Sequence, residues 1–101
     1  MVTKNWTLIS SNTDYNTVVD GTNECNIVST LIYNNNDSES GYAKVKIVDS
    51  DGNTKAVLFN IEVQAEDTII LDSKIFINSG DQIQVQSTIT DLHFTLSGTE
   101  G

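Results

Sequence analysis

One histidine, His93, one cysteine, Cys25, and no arginine leave this chain few side chains that can act as a base, a nucleophile or an anion clamp. His93 sits on the polar positions of the alternating run Leu92-His93-Phe94-Thr95-Leu96, which makes it an outward-facing strand residue rather than a general base or metal ligand. Cys25 opens an apolar run, the setting of a small buried hydrophobe. Nothing in the spacing brings the two together. Oxygen ligands are plentiful, and the run Asp49-Ser50-Asp51-Gly52-Asn53 has the composition of a calcium loop. An EF-hand, however, places glycine sixth and closes on a bidentate glutamate at its twelfth position. Counting from Asp49, glycine is fourth here and the twelfth residue is Asn60, so the run reads as a hairpin turn.

The remaining chemical candidates are weaker. Glu66 and Asp67 are adjacent, so in extended chain they point to opposite faces and make no acid and base pair. The sequons at Asn5-Trp6-Thr7 and Asn36-Asp37-Ser38 have no export signal to give them meaning. The six glycines are scattered and none opens a helix, which excludes a phosphate cradle. Trp6, Tyr15 and Tyr42 are the aromatics placed to reach a surface, too few for a stacking platform. The sequence therefore points to no catalytic residues, no metal site and no cofactor.

Charge narrows the partners. Fourteen acidic residues against five lysines give a formal net charge of -9 and an isoelectric point near 4.1. Phosphate backbones and anionic lipid heads are met by clustered Lys and Arg, so nucleic acid and membrane are poor partners. The apolar runs, such as Ile69 to Leu71, are strand-length and far from the ~20 residues that span a bilayer as a helix. A lone cysteine and the lack of a leader pattern place synthesis and folding in a reducing cytoplasm.

These residues must be positioned by strands. Ala43, Val45 and Ile47 alternate with Lys44 and Lys46; Ile83 and Val85 alternate with Gln82, Gln84 and Gln86; Leu92, Phe94 and Leu96 alternate with His93 and Thr95. A period of two puts one set on each face of a strand, and no apolar stripe of helical period competes with it. The spacing predicts strands at 5–10, 25–34, 41–48, 54–65, 68–71, 75–77, 82–87 and 92–97, with a weak edge strand or long loop around Val18 and Val19. In the run from Cys25 to Asn34 both parities are apolar, with Ile27, Leu31 and Tyr33 on one and Val28 and Ile32 on the other. That predicts a strand buried on both sides, either central in the sandwich or with its second side covered by a neighbouring subunit. Residues 1–101 are then one all-β domain, an antiparallel immunoglobulin-like β-sandwich of about seven to eight strands.

Several turns and strand ends also carry a resemblance. They are Val45 to Val48 with Asp51 and Gly52; Glu66 and Asp67 before Thr68 to Leu71; Phe76 to Val85 through Asn78-Ser79-Gly80-Asp81; and Phe94 to Glu100 closing on serine, glycine and glutamate. With Trp6 to Ile9 and Ile27 to Asn34 in the N-terminal part, this pattern resembles the small β-sandwich virion proteins of tailed bacteriophages. Relatives often have a proline and glycine loop after the first strand, where this chain has Asp20 and Gly21 and no proline anywhere. The resemblance implies a non-enzymatic building block of the particle, found as a capsid decoration or in a neck, tail or fibre. The implied partners are other virion proteins and copies of the chain itself.

The expected mechanism is surface burial, with Trp6, Val28, Ile32 and Tyr42 as the candidate interaction surface and the acidic remainder solvated. Capsid decoration is favoured within that class because a single compact domain lacks a fibre's stalk or repeat. A rival from another class is a carbohydrate or host-receptor binding module, with the loops 34–40 and 49–53 forming one recognition edge beside Tyr42.

Overall fold

Alternation of apolar and polar residues dictates strands that are oily on one side, and two such sheets close on each other to exclude water. The computed structural model describes residues 2–101, the side chain at position 73 excepted. It contains eight strands: β1 (Val2–Ile9), β2 (Asn16–Val19), β3 (Cys25–Asn34), β4 (Gly41–Val48), β5 (Thr54–Val63), β6 (Thr68–Ile77), β7 (Gln82–Ser87) and β8 (Leu92–Glu100). They form two four-stranded antiparallel sheets, ordered β1-β8-β3-β6 and β2-β7-β4-β5.

The expected antiparallel sandwich is present, and its wiring is that of a jelly roll. Only β4 and β5 form a hairpin within one sheet; every other connection crosses from one sheet to the other. Immunoglobulin domains instead keep several sequential neighbours side by side. Two interlocked Greek keys of eight strands are the jelly-roll arrangement. Strand pairing between β1 and β8, the first and last, has no local signal in the sequence, which is why periodicity gives the sandwich but not its connectivity.

Between the sheets lies a core in which Trp6, Ile27, Ile32, Ile77, Phe94 and Leu96 from the first sheet meet Val19, Val45, Val63, Ile83 and Val85 from the second. The turns are built by residues free to adopt a left-handed backbone. Gly52, at φ 87°, closes the β4–β5 hairpin, where its amide donates to the Asp49 carbonyl at 3.0 Å. The Asp49 carboxylate accepts the backbone amides of Asp51 and Asn53, both at 2.9 Å. This is an Asx-type turn.

One local device corrects the reading of β3. Ile27 pairs with Gly98 and Ser29 with Ser97, so Val28 is an extra residue in a β-bulge. The bulge moves the inward side from odd to even positions: Cys25 and Ile27 face the core, then Thr30, Ile32 and Asn34. Both parities are apolar because the strand changes phase, not because both of its faces are buried. A matching irregularity on β6, where Ile27 faces Ile75 and Ser29 faces Asp72, joins the two runs expected at 68–71 and 75–77 into one strand.

Candidate interaction surface

The proposed docking residues separate when placed on the fold. Trp6 and Ile32 are 7% and 0% exposed and belong to the core, so neither can meet a partner. Their apolar character is used against the opposite sheet. Val28 and Tyr42 are exposed, at 53% and 52%, but on different sheets, Val28 at the β3 bulge and Tyr42 on β4. No single patch contains the four. The loops of the rival recognition edge are also apart, because 35–40 precedes β4 and 49–53 follows it. The eight residues of β4 separate them by roughly 26 Å.

Side chains with chemical potential are likewise dispersed. Cys25 is buried at the start of β3, and burial raises its thiol pKa, with the Glu100 carboxylate adding to the effect. His93 pairs across β8 with Tyr33, eight residues further along β3, which puts Cys25 and His93 roughly 25 Å apart. His93 faces outward as expected, with its Nε2 3.0 Å from the Asp91 carboxylate and its ring edge-on to Tyr33 at 5.6 Å between centroids. Among the described residues no group of three or more His, Cys, Asp or Glu side chains is gathered to hold a metal.

Charge is distributed by architecture. Eleven of the fourteen acidic residues lie in connections between strands, and all five lysines lie on strands. One end of the sandwich carries Asp14, Asp37, Glu39, Glu66, Asp67 and Asp91; the other carries Asp20, Glu24, Asp49, Asp51 and Asp81. Asp81 is tied down by Lys55 Nζ at 3.0 Å and by the Asn78 amide at 3.2 Å, and the Lys55 hydrogen bond holds its carboxyl below the usual carboxylate range.

The outer sides of the two sheets therefore differ. On the β2-β7-β4-β5 sheet the outward positions carry Lys44, Lys46, Gln82, Gln84 and Gln86, with Lys46 Nζ 3.7 Å from the Tyr15 ring centroid. On the β1-β8-β3-β6 sheet the registers align four outward rows: Ile9-His93-Tyr33-Thr68, Thr7-Thr95-Leu31-Ile70, Asn5-Ser97-Ser29-Asp72 and Thr3-Thr99-Asn26-Phe76. Hydroxyl, amide and apolar side chains fill fourteen of these sixteen places; the exceptions are His93 and a single carboxylate, Asp72. Lys74 is exposed on the same edge strand. Ile9, Val28, Ile70 and Phe76, four of the seven exposed large hydrophobic residues, belong to this side. A groove of about 470 Å³ between β1 and β8, lined by Thr7, Leu8, Ile9, His93, Phe94 and Thr95, opens on it. Periodicity had marked the inward residues of these strands; the aligned rows needed the pairing of β1 with β8, which local sequence does not encode.

Among solved structures, the fold is similar to a pentameric capsid protein from metagenomic phage sequences, at TM-score 0.54 and 13% identity over 97% of this chain. The chain spans 61% of that protein. It is also similar to the Eiger TNF of S. frugiperda, with TM-score 0.55 and 10% identity over 98% of this chain and 93% of that one. Murine APRIL matches at TM-score 0.54 and 12% identity, over 97% of this chain and 100% of that one. No family model and no curated protein matches the sequence. At these identities the likeness establishes a shared fold, and the chain is thus similar to capsid and TNF-type β-sandwich proteins in architecture.

Proposed function

We propose that this chain is a non-enzymatic structural protein of a bacteriophage virion, made in the bacterial cytoplasm and assembled through protein contacts, where it decorates or stabilises the capsid. The observation that carries the reading is the charge-depleted outer side of the β1-β8-β3-β6 sheet on a chain of net charge -9. An interface core is depleted of charge, and this side shares that depletion, with Ile9, Leu31, Tyr33, Ile70 and Phe76 set among Thr, Ser and Asn side chains. The fold shared with a pentameric phage capsid protein supports the same reading, as does the resemblance of the turns to small phage virion proteins. The scattered titratable groups leave an enzyme without a nucleophile and base in reach of each other.

The test is the composition of gradient-purified particles. Quantitative mass spectrometry should recover the chain at a fixed copy number relative to the major capsid protein. Its absence from particles that are otherwise complete would refute the role, and recovery only with detached tails would move it from capsid to tail.

A further inference from the structure

We infer that the outer side of the β1-β8-β3-β6 sheet is a self-complementary surface that receives a second copy of this chain, sheet against sheet. The inference rests on the reading of the chain as an assembling subunit and names the surface and the occupant. Two bodies of net charge -9 repel, and the repulsion is strongest where loops with several carboxylates are brought together. Apposing this side keeps those loops at the rim, because the carboxylates lie at the two ends of the sandwich and only Asp72 lies in the rows themselves.

A two-fold axis parallel to the strands and midway between β8 and β3 matches the rows of one copy to those of the other. That operation sets β1 of one copy over β6 of the other. Ile70, 62% exposed on β6, stands in the same row as Thr7 and Thr95, which line the groove. The rotation brings it over that groove in the partner, and by symmetry the contact occurs twice. Asp72 is carried over Asn5, so no carboxylate meets a carboxylate. Four strands ~4.8 Å apart and about 26 Å long present roughly 500 Å² in projection, so two copies bury on the order of 1,000 Å² or more, the lower bound of a specific interface.

Sedimentation equilibrium of the full chain from 1 to 300 μM, at 20 mM and 500 mM NaCl, tests this. The expected result is a monomer–dimer equilibrium that tightens with salt as the net repulsion is screened. Ile70→Arg should weaken the dimer at least ten-fold, while Tyr42→Arg on the opposite sheet leaves it unchanged; thermal melts confirm that both variants fold. A wild type that stays monomeric at 300 μM overturns the inference, as does a dimer that survives Ile70→Arg or is lost with Tyr42→Arg. A monomeric chain still recovered in particles refutes the surface's occupant and leaves the virion role standing. A dimer never found in particles does the reverse.

Discussion

Replacing Gly98 with alanine tests the β3 bulge, the feature on which the core's phase depends. Gly98 lies on the inward side of β8, opposite Ile27 and next to the extra residue Val28. A Cβ built there overlaps the Asn26 carbonyl oxygen, with the carbonyl carbon at 2.8 Å and Ile27 Cα at 3.0 Å. All three are backbone atoms of the central strand, so no side chain can rotate out of the way. Relief requires β3 and β8 to separate by an ångström or more, weakening about two ladder hydrogen bonds at ~1 kcal/mol each and adding an overpacking cost of about 1–3 kcal/mol. The sum is on the order of 3–5 kcal/mol, a large part of the ~5–15 kcal/mol that stabilises a domain of this size. Urea unfolding followed by Trp6 fluorescence reads it as a lowered midpoint with an unchanged slope. Gly52→Ala is the control. Its Cβ meets nothing within 4 Å, but its φ of 87° is unfavourable for alanine, so it should cost about 1–2 kcal/mol. A Gly98→Ala protein less destabilised than Gly52→Ala would mean that the close approach of β3 and β8, and with it the bulge, is misassigned.

Other outcomes follow from the same packing and turns. Phe94→Ala removes the largest fully buried side chain and should cost about 3–5 kcal/mol in the same urea assay. Asp49→Ala leaves two turn amides without their acceptor and should cost about 1 kcal/mol in thermal melts, whereas Asp51→Ala, whose side chain is exposed, should stay within ~0.5 kcal/mol. Asp81 has its folded pKa below the unfolded value, so its contribution is fully present above ~3.9 and is lost as pH falls through the folded value. Melts should therefore show stability dropping below about pH 4, and Asp81→Asn should flatten that part of the profile.

Much of the fold was legible because its strands announce themselves. The limits of β4 and β7 follow from alternation, and those of β3 from an apolar run, each bounded by Gly, Asn, Asp and Ser, and the hairpin at 49–53 follows from Gly52. The expected strand at 54–65 ends at Val63, since Glu66, at φ 60°, and the amides around it build the turn into β6. Illegible were the features that depend on partners distant in sequence. The pairing of β1 with β8 decides the jelly-roll order, and the extra residue at Val28 decides which side Ile32 faces. Missing that phase change put Ile32 on a docking surface instead of in the core. Trp6 was misplaced for another reason: a large aromatic near an edge suits an interface or a core equally well, and only the opposing sheet settles which. The charge-depleted rows across β1, β8, β3 and β6 could not be seen in any single strand, because each contributes only alternate residues to them.

The central claim, a virion subunit that assembles through one charge-depleted sheet, is tested most directly by a particle reconstruction at a resolution that separates strands. The account predicts the sandwich on the capsid with the β1-β8-β3-β6 side covered by a second copy and the β2-β7-β4-β5 side toward solvent. A particle in which the sandwich is present with that charge-depleted side uncovered, or from which it is missing, would contradict it.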